Sequence, residues 1–124
     1  MMTQQDNMHT SQDLKPLTIR RQGRSIRVRL QDRYVLLGDL DEIQEAVTRM
    51  LEEIEHPEVV VDLGEVAYLP SSGLGMLIAL HRRVARRRGR FRLVNVKSDE
   101  VRDLLSISRV DEVLEIGSDR ATLS

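Results

Sequence analysis

The chain contains no cysteine and no tryptophan, and Phe91, Tyr34 and Tyr68 are the sole aromatic side chains among its 124 residues. Without cysteine there can be no disulfide, no thiolate metal ligand and no cysteine nucleophile. With so few rings, the stacking platforms that hold single-stranded nucleic acid are missing. The core must be built from aliphatic side chains, and a hydrophobic content of 40% suffices for one domain of this length. An excess of either charge is also lacking: Lys and Arg total 19, Asp and Glu 20, and the net charge is −1. A general nucleic-acid binder needs surplus cations to displace counterions. No apolar run approaches the ~20 residues of a membrane span, and residues 1–11 lack the apolar centre of a secretory signal. The expectation is a cytoplasmic, monomeric protein with neither nucleic acid nor membrane as its partner.

What is present reads as one α/β domain between two polar tails, 1–16 and 117–124. Residues 17–21 and 25–30 flank Gln22-Gly23-Arg24. In the second run Ile26, Val28 and Leu30 alternate with Ser25, Arg27 and Arg29, which predicts a β-hairpin with one wet face. Over 40–55, Leu40, Ile43, Val47, Met50, Leu51 and Ile54 fall on one helical face. Asp39 is the expected cap, with Glu42 three residues on and Pro57 beyond the end. Residues 58–63 hold Val59-Val60-Val61, the continuous β-branched run of a strand buried on both faces. A second helix is expected from the Ser71-Ser72 region to about Arg88, with Leu74, Leu77, Ile78, His81, Val84 and Ala85 inward and Gly89 as the residue after its end. Residues 91–96 follow as a strand, so strand, helix and strand form a βαβ unit. Ser98 is placed to cap a third helix with Val101, Leu104 and Leu105 inward, and 113–116 closes the domain. The buried set should include Leu40, Ile43, Val47, Met50, Val60, Val61, Leu63, Leu77, Ile78, Leu93 and Leu104.

Chemistry could reside at Pro70-Ser71-Ser72-Gly73-Leu74-Gly75. A serine there can cap the second helix, and glycines permit close approach of either the sheet or another molecule. A helix N-terminus also favours anions. The segment is not a phosphate-binding loop, because no Gly-Lys-Ser/Thr follows. It is not a nucleophile elbow, because glycine is missing two residues before the serine. His81 lies roughly 15 Å along the helix from Ser71, out of reach as its base. Asp39, Asp41, Asp62 and Glu65 read better as capping and strand-end residues than as metal ligands. The basic run His81, Arg82, Arg83, Arg86, Arg87, Arg88, Arg90 and Arg92 reads as a solvated helix face or a docking patch. No enzymatic activity, metal or cofactor is expected.

Val59-Val60-Val61-Asp62-Leu63, then Val66, Tyr68-Leu69 and Ser71-Ser72-Gly73-Leu74-Gly75-Met76-Leu77, resemble the signature of STAS domains of the anti-sigma-factor-antagonist kind. Residues 91–96, 101–105 and 113–116 resemble that family's next strand, helix and closing segment. The resemblance spans 17–116 and implies a mixed sheet of four or five strands with helices packed largely on one face. It also implies a protein partner, an anti-sigma factor that is at the same time a serine kinase. By position Ser71 is the phosphoacceptor, and Gly38, Asp39, Asp41, Pro70, Ser71, Ser72, Gly73 and Leu74 form the partner-binding face. Pro70 stands where the family usually has Asp, and proline supplies neither carboxylate nor backbone N–H. A second reading therefore stays open: a STAS interaction subunit, a scaffold or transport-complex adaptor, that does not cycle phosphate.

Overall fold

The computed structural model describes residues 19–32 and 40–117. Strands β1 (Ile19–Gln22) and β2 (Ser25–Gln31) form the expected hairpin. Gly23 takes φ +63° at the first turn position, a conformation that costs glycine little and other residues more. Helix α1 (Leu40–Leu51) leads to β3 (Glu58–Glu65), α2 (Ser71–Arg86) to β4 (Arg90–Val94), and α3 (Asp99–Ile107) with a 3₁₀ turn (Val110–Glu112) to β5 (Glu115–Gly117). The five strands lie in the order β1-β2-β3-β4-β5, with β1 antiparallel to β2 and every other pair parallel. Among the described residues this is a single mixed sheet with three α-helices of the α/β kind, as the sequence and the family resemblance led us to expect.

The register explains the alternation. Ile26 pairs with Val59 and Val28 with Val61, and these pair onward with Phe91 and Leu93. All belong to the core that Leu40, Ile43, Val47 and Leu51 of α1, Leu77, Leu80 and Val84 of α2, and Val101 and Leu105 of α3 complete. The other face carries Arg27, Val60, Asp62, Arg92 and Val94, since successive strand side chains point to opposite sides. That face is also shielded at its centre: Val60, Arg92 and Val94 are buried. Hence the β3 run is apolar without interruption.

Several expectations shift. Helix α1 stops at Leu51 rather than Glu55, although Ile54 is still buried through the following turn. Met50, Ile78 and Leu104 are only partly buried against the core. The inner face of α2 is Gly73, Met76, Leu77, Leu80 and Val84, so Leu74, Ile78 and His81 sit on its flank and Ala85 is exposed. Gly89 is not the left-handed residue after α2. Arg88 takes that role at φ +58°, and the Gly89 and Arg88 amides bond to the Val84 and Ala85 carbonyls, a Schellman ending. Gly89 is required for another reason: a Cβ there would lie 2.2 Å from the Pro57 carbonyl oxygen. Gly117, expected in the tail, ends β5. The expected Asp39 cap, the stretch 34–37 and both tails otherwise fall outside the described residues.

Candidate functional site

The link from β3 to α2 is short and held by side chains from two other elements. The Val66 amide bonds to the Leu63 carbonyl at 3.1 Å. The next amide, Ala67, donates to Asp32 Oδ1 at 2.8 Å. The Ala67 carbonyl accepts from Ser98 Oγ at 2.8 Å, and the same Ser98 hydroxyl caps α3 by accepting from the Val101 amide. Ser98 as cap was legible in the sequence; its grip on Ala67, and the part of Asp32, were not.

Helix α2 then starts without a serine cap. Pro70 occupies the cap position at φ −72° and ψ 167°, and no side chain caps the helix. The Pro70 carbonyl accepts both the Gly73 and Leu74 amides, at 2.9 and 3.0 Å. Proline's fixed φ suits this position, and a helix's first residues need no intrahelical donor partner. Ser71 is thus the first helical residue and Ser72 the second, both exposed. The first turn of α2 contains no acidic side chain, whereas α1 has Asp41 and Glu42 and α3 has Asp99 and Glu100. The positive end of the α2 dipole is therefore uncompensated by the helix itself.

The two glycines differ. Gly73 is buried, and a Cβ on it would approach Leu69 Cδ1 to 2.7 Å and Leu40 Cδ1 to 3.7 Å. Its smallness serves internal packing, and the Leu40 contact brings the start of α1 beside the start of α2. Gly75 is exposed, and a Cβ on it would meet nothing within 4 Å. It lies one turn beyond Ser71 and Ser72, on the outer side of the helix. Of the two glycines that the sequence offers for close approach, Gly75 has the open surface and Gly73 packs internally. Of the other expected partner residues, Leu74 and Pro70 are half-buried, Asp41 is exposed on the first turn of α1, and Gly38 and Asp39 lie outside the described residues.

Several of the other polar residues have structural partners. Asp62 receives Arg27 at 2.9 Å, the Gly64 amide at 2.8 Å and Asn95 Nδ2 at 3.2 Å. Arg92, expected among solvated arginines, is buried and bonds to Glu58 at 3.2 Å. Arg90 is bidentate on Glu115, and Arg87 reaches the Ile54 carbonyl at 2.8 Å. Arg82, Arg83, Arg86, Arg88 and Arg90 are the exposed members of the basic run. His81 is half-buried, edge-on to Phe91 with ring centroids 6.0 Å apart. Among the described residues no group of three or more His, Cys, Asp or Glu could hold a metal ion. No helix among them is long and apolar enough to cross a membrane.

The mixed sheet, with an exposed serine opening its second helix, is that of a STAS-type domain. The chain belongs to the family described as Mlab, STAS domain, whose sequence model matches residues 17–115. Solved structures share the fold. An anti-sigma-factor antagonist (STAS) domain protein from Planctomyces limnophilus is 20% identical, with TM-score 0.72 over 85% of this chain and 93% of that one. A Thermotoga maritima protein described as a candidate anti-sigma factor antagonist is 16% identical, with TM-score 0.65 over 79% of this chain and 82% of that one. A search of curated proteins returned no match.

Proposed function

We propose that this chain is an anti-sigma-factor antagonist that binds an anti-sigma factor with serine-kinase activity and is released by phosphorylation of Ser71. The observation that carries this reading is the exposed Ser71 at the first position of α2, one turn from a glycine whose surface is bare. Ser71, Ser72, Leu74 and Gly75, with Asp41 from the adjoining start of α1, would form the contact, together with Gly38 and Asp39 before it. A phosphate on Ser71 brings about −1.5 to −2 charges and three acceptor oxygens. Within this chain the α2 dipole would tolerate that charge. A partner seated on Gly75 would not, because charge and bulk would enter a desolvated contact. The switch would act on binding and leave folding intact.

The test is phosphorylation by the native cytoplasm. The purified chain is incubated with extract of its source cell and ATP, and its intact mass and phosphopeptides are read. One phosphate, mapped to Ser71 and lost in Ser71→Ala, is expected. An unmodified chain, or phosphate on another residue, would overturn the phosphoswitch. Pro70 favours a second reading in that event. It removes the carboxylate usual before the phosphoacceptor, and its carbonyl is already engaged with the helix. The chain would then be an interaction subunit, a scaffold or transport-complex adaptor, that binds through the same surface without cycling phosphate.

A further inference from the structure

The start of α2 adjoins a groove of about 490 Å³ between the β3–α2 link, α2 and α3. Its floor and walls are apolar: Tyr68 and Leu69 from the link, Leu74 from α2, Leu104 and Ile107 from α3. Two of these side chains are unusually open for their size, Tyr68 at 57% and Ile107 at 80% exposure. Clustered exposure of large apolar groups beside a concave surface marks a contact for another molecule. The rim is acidic. Glu100 and Asp103 line it from α3, one turn apart, and both are exposed. Ser71 stands at one end.

We infer that this groove receives an amphipathic helix of the partner protein, its apolar face on Tyr68, Leu74, Leu104 and Ile107 and its basic flank against Glu100 and Asp103. An apolar stripe seated in a groove and flanked by complementary charge is a recurrent mode of helix recognition. α3 is nine residues long, roughly 14 Å, so about three turns of a partner helix would cover it. A second copy of this chain fits less well. Its basic helical segment is the outer face of α2, where Arg82 and Arg86 are accompanied by Ala79 and Ala85 and offer no large exposed apolar side chain. The inference rests on the reading of the α2 start as a partner surface and extends that surface onto α3.

The probe is a synthetic leucine–lysine helix about three turns long, with a leucine–glutamate helix as its counterpart, titrated against the full chain by amide NMR and calorimetry. Saturable shifts confined to residues 68–74 and 100–107 are expected with the lysine peptide and not with the glutamate peptide. Ile107→Ser, and Glu100→Gln with Asp103→Asn, should each weaken binding about tenfold or more. These residues are exposed, so unchanged melting curves serve as the folding control. Equal binding of both peptides, shifts centred on the acidic residues of α1, or indifference to Ile107→Ser would overturn the inference. So would concentration-dependent self-association that Ile107→Ser abolishes, which would make a second copy the occupant. With the native partner the two proposals separate. Loss of binding in Ile107→Ser but not in Ser71→Asp removes the phosphoswitch and keeps the groove; the reverse pattern removes the groove.

Discussion

Asp32 and Ser98 hold the two ends of one peptide unit's residue: the Asp32 carboxylate accepts the Ala67 amide and the Ser98 hydroxyl donates to the Ala67 carbonyl, both at 2.8 Å. Ser98 also caps α3. Ser98→Ala loses a cap, about 1 kcal/mol, and a hydrogen bond, about 1 kcal/mol more. Urea denaturation should show a loss of about 2 kcal/mol for Ser98→Ala. Ser98→Asp keeps the cap but cannot donate to Ala67, so it should fall midway. Equal stability of all three would mean that the link is held by packing alone.

Gly73 and Gly75 should respond oppositely to alanine. At Gly75 the new methyl has open space, and replacing a helical glycine should stabilise by roughly 0.5–1 kcal/mol. At Gly73 the methyl meets buried Leu69, and overpacking of about 1–3 kcal/mol offsets the same propensity gain. Thermal melts should therefore place Gly73→Ala below Gly75→Ala. Partner affinity should fall in Gly75→Ala in spite of its higher stability. A more stable Gly73→Ala would show that Leu69 yields without cost.

Asp62 satisfies Arg27, the Gly64 amide and Asn95 on the sheet face away from the helices. Asp62→Ala would leave those donors short of their shared acceptor, which costs roughly 2–3 kcal/mol in urea denaturation. Asp62→Asn keeps an acceptor for the amide and should lose less. A neutral Asp62→Ala would show that water replaces the carboxylate.

The closing strand carries a pH-dependent contact. The hydrogen bond from Arg90 holds the Glu115 carboxyl below its usual value, burial opposes this, and the same bond raises Arg90. Folded Glu115 therefore releases its proton at lower pH than in the unfolded chain. Its stabilising contribution is present above the ordinary glutamate range and is lost as pH falls through the folded value. Arg90 stays charged throughout. Both side chains are about half exposed, 58% and 45%, so screening keeps the effect small. Glu115→Gln should lower Tm by up to about 4 °C at neutral pH, and the difference should shrink as pH falls below the ordinary glutamate range. A difference that persists in acid would assign it to packing instead of charge.

The strands β2 and β3 were legible because β3 is apolar on both faces and β2 alternates, and each pattern reflects real burial. The inner face of α2 was harder to read. From Leu74 to Leu80 nearly every side chain is apolar, so periodicity defines no single stripe. α1 on one side and the groove toward α3 on the other widen the apolar sector, and the buried line settles on Met76, Leu77, Leu80 and Val84. Arg92 looked solvated because its neighbours in sequence are arginines; its strand parity puts it beside Val60 on a face that is itself covered. At the site, Ser71 was found from its motif, but the division of labour between Gly73 and Gly75 depends on Leu69 and Leu40, which only the fold brings to Gly73.

The most direct test of the account is the affinity of the proposed anti-sigma partner, co-purified from extract of the source cell, for three forms of the chain. The parent and Ser71→Ala should bind alike, and Ser71→Asp should bind at least about tenfold more weakly, or about 1.4 kcal/mol, in calorimetry. Its Tm should stay within about 3 °C of the parent, since the α2 dipole accepts the charge. Ser71→Asp binding as tightly as the parent would contradict a switch at Ser71 and leave the non-cycling STAS adaptor as the account of this chain.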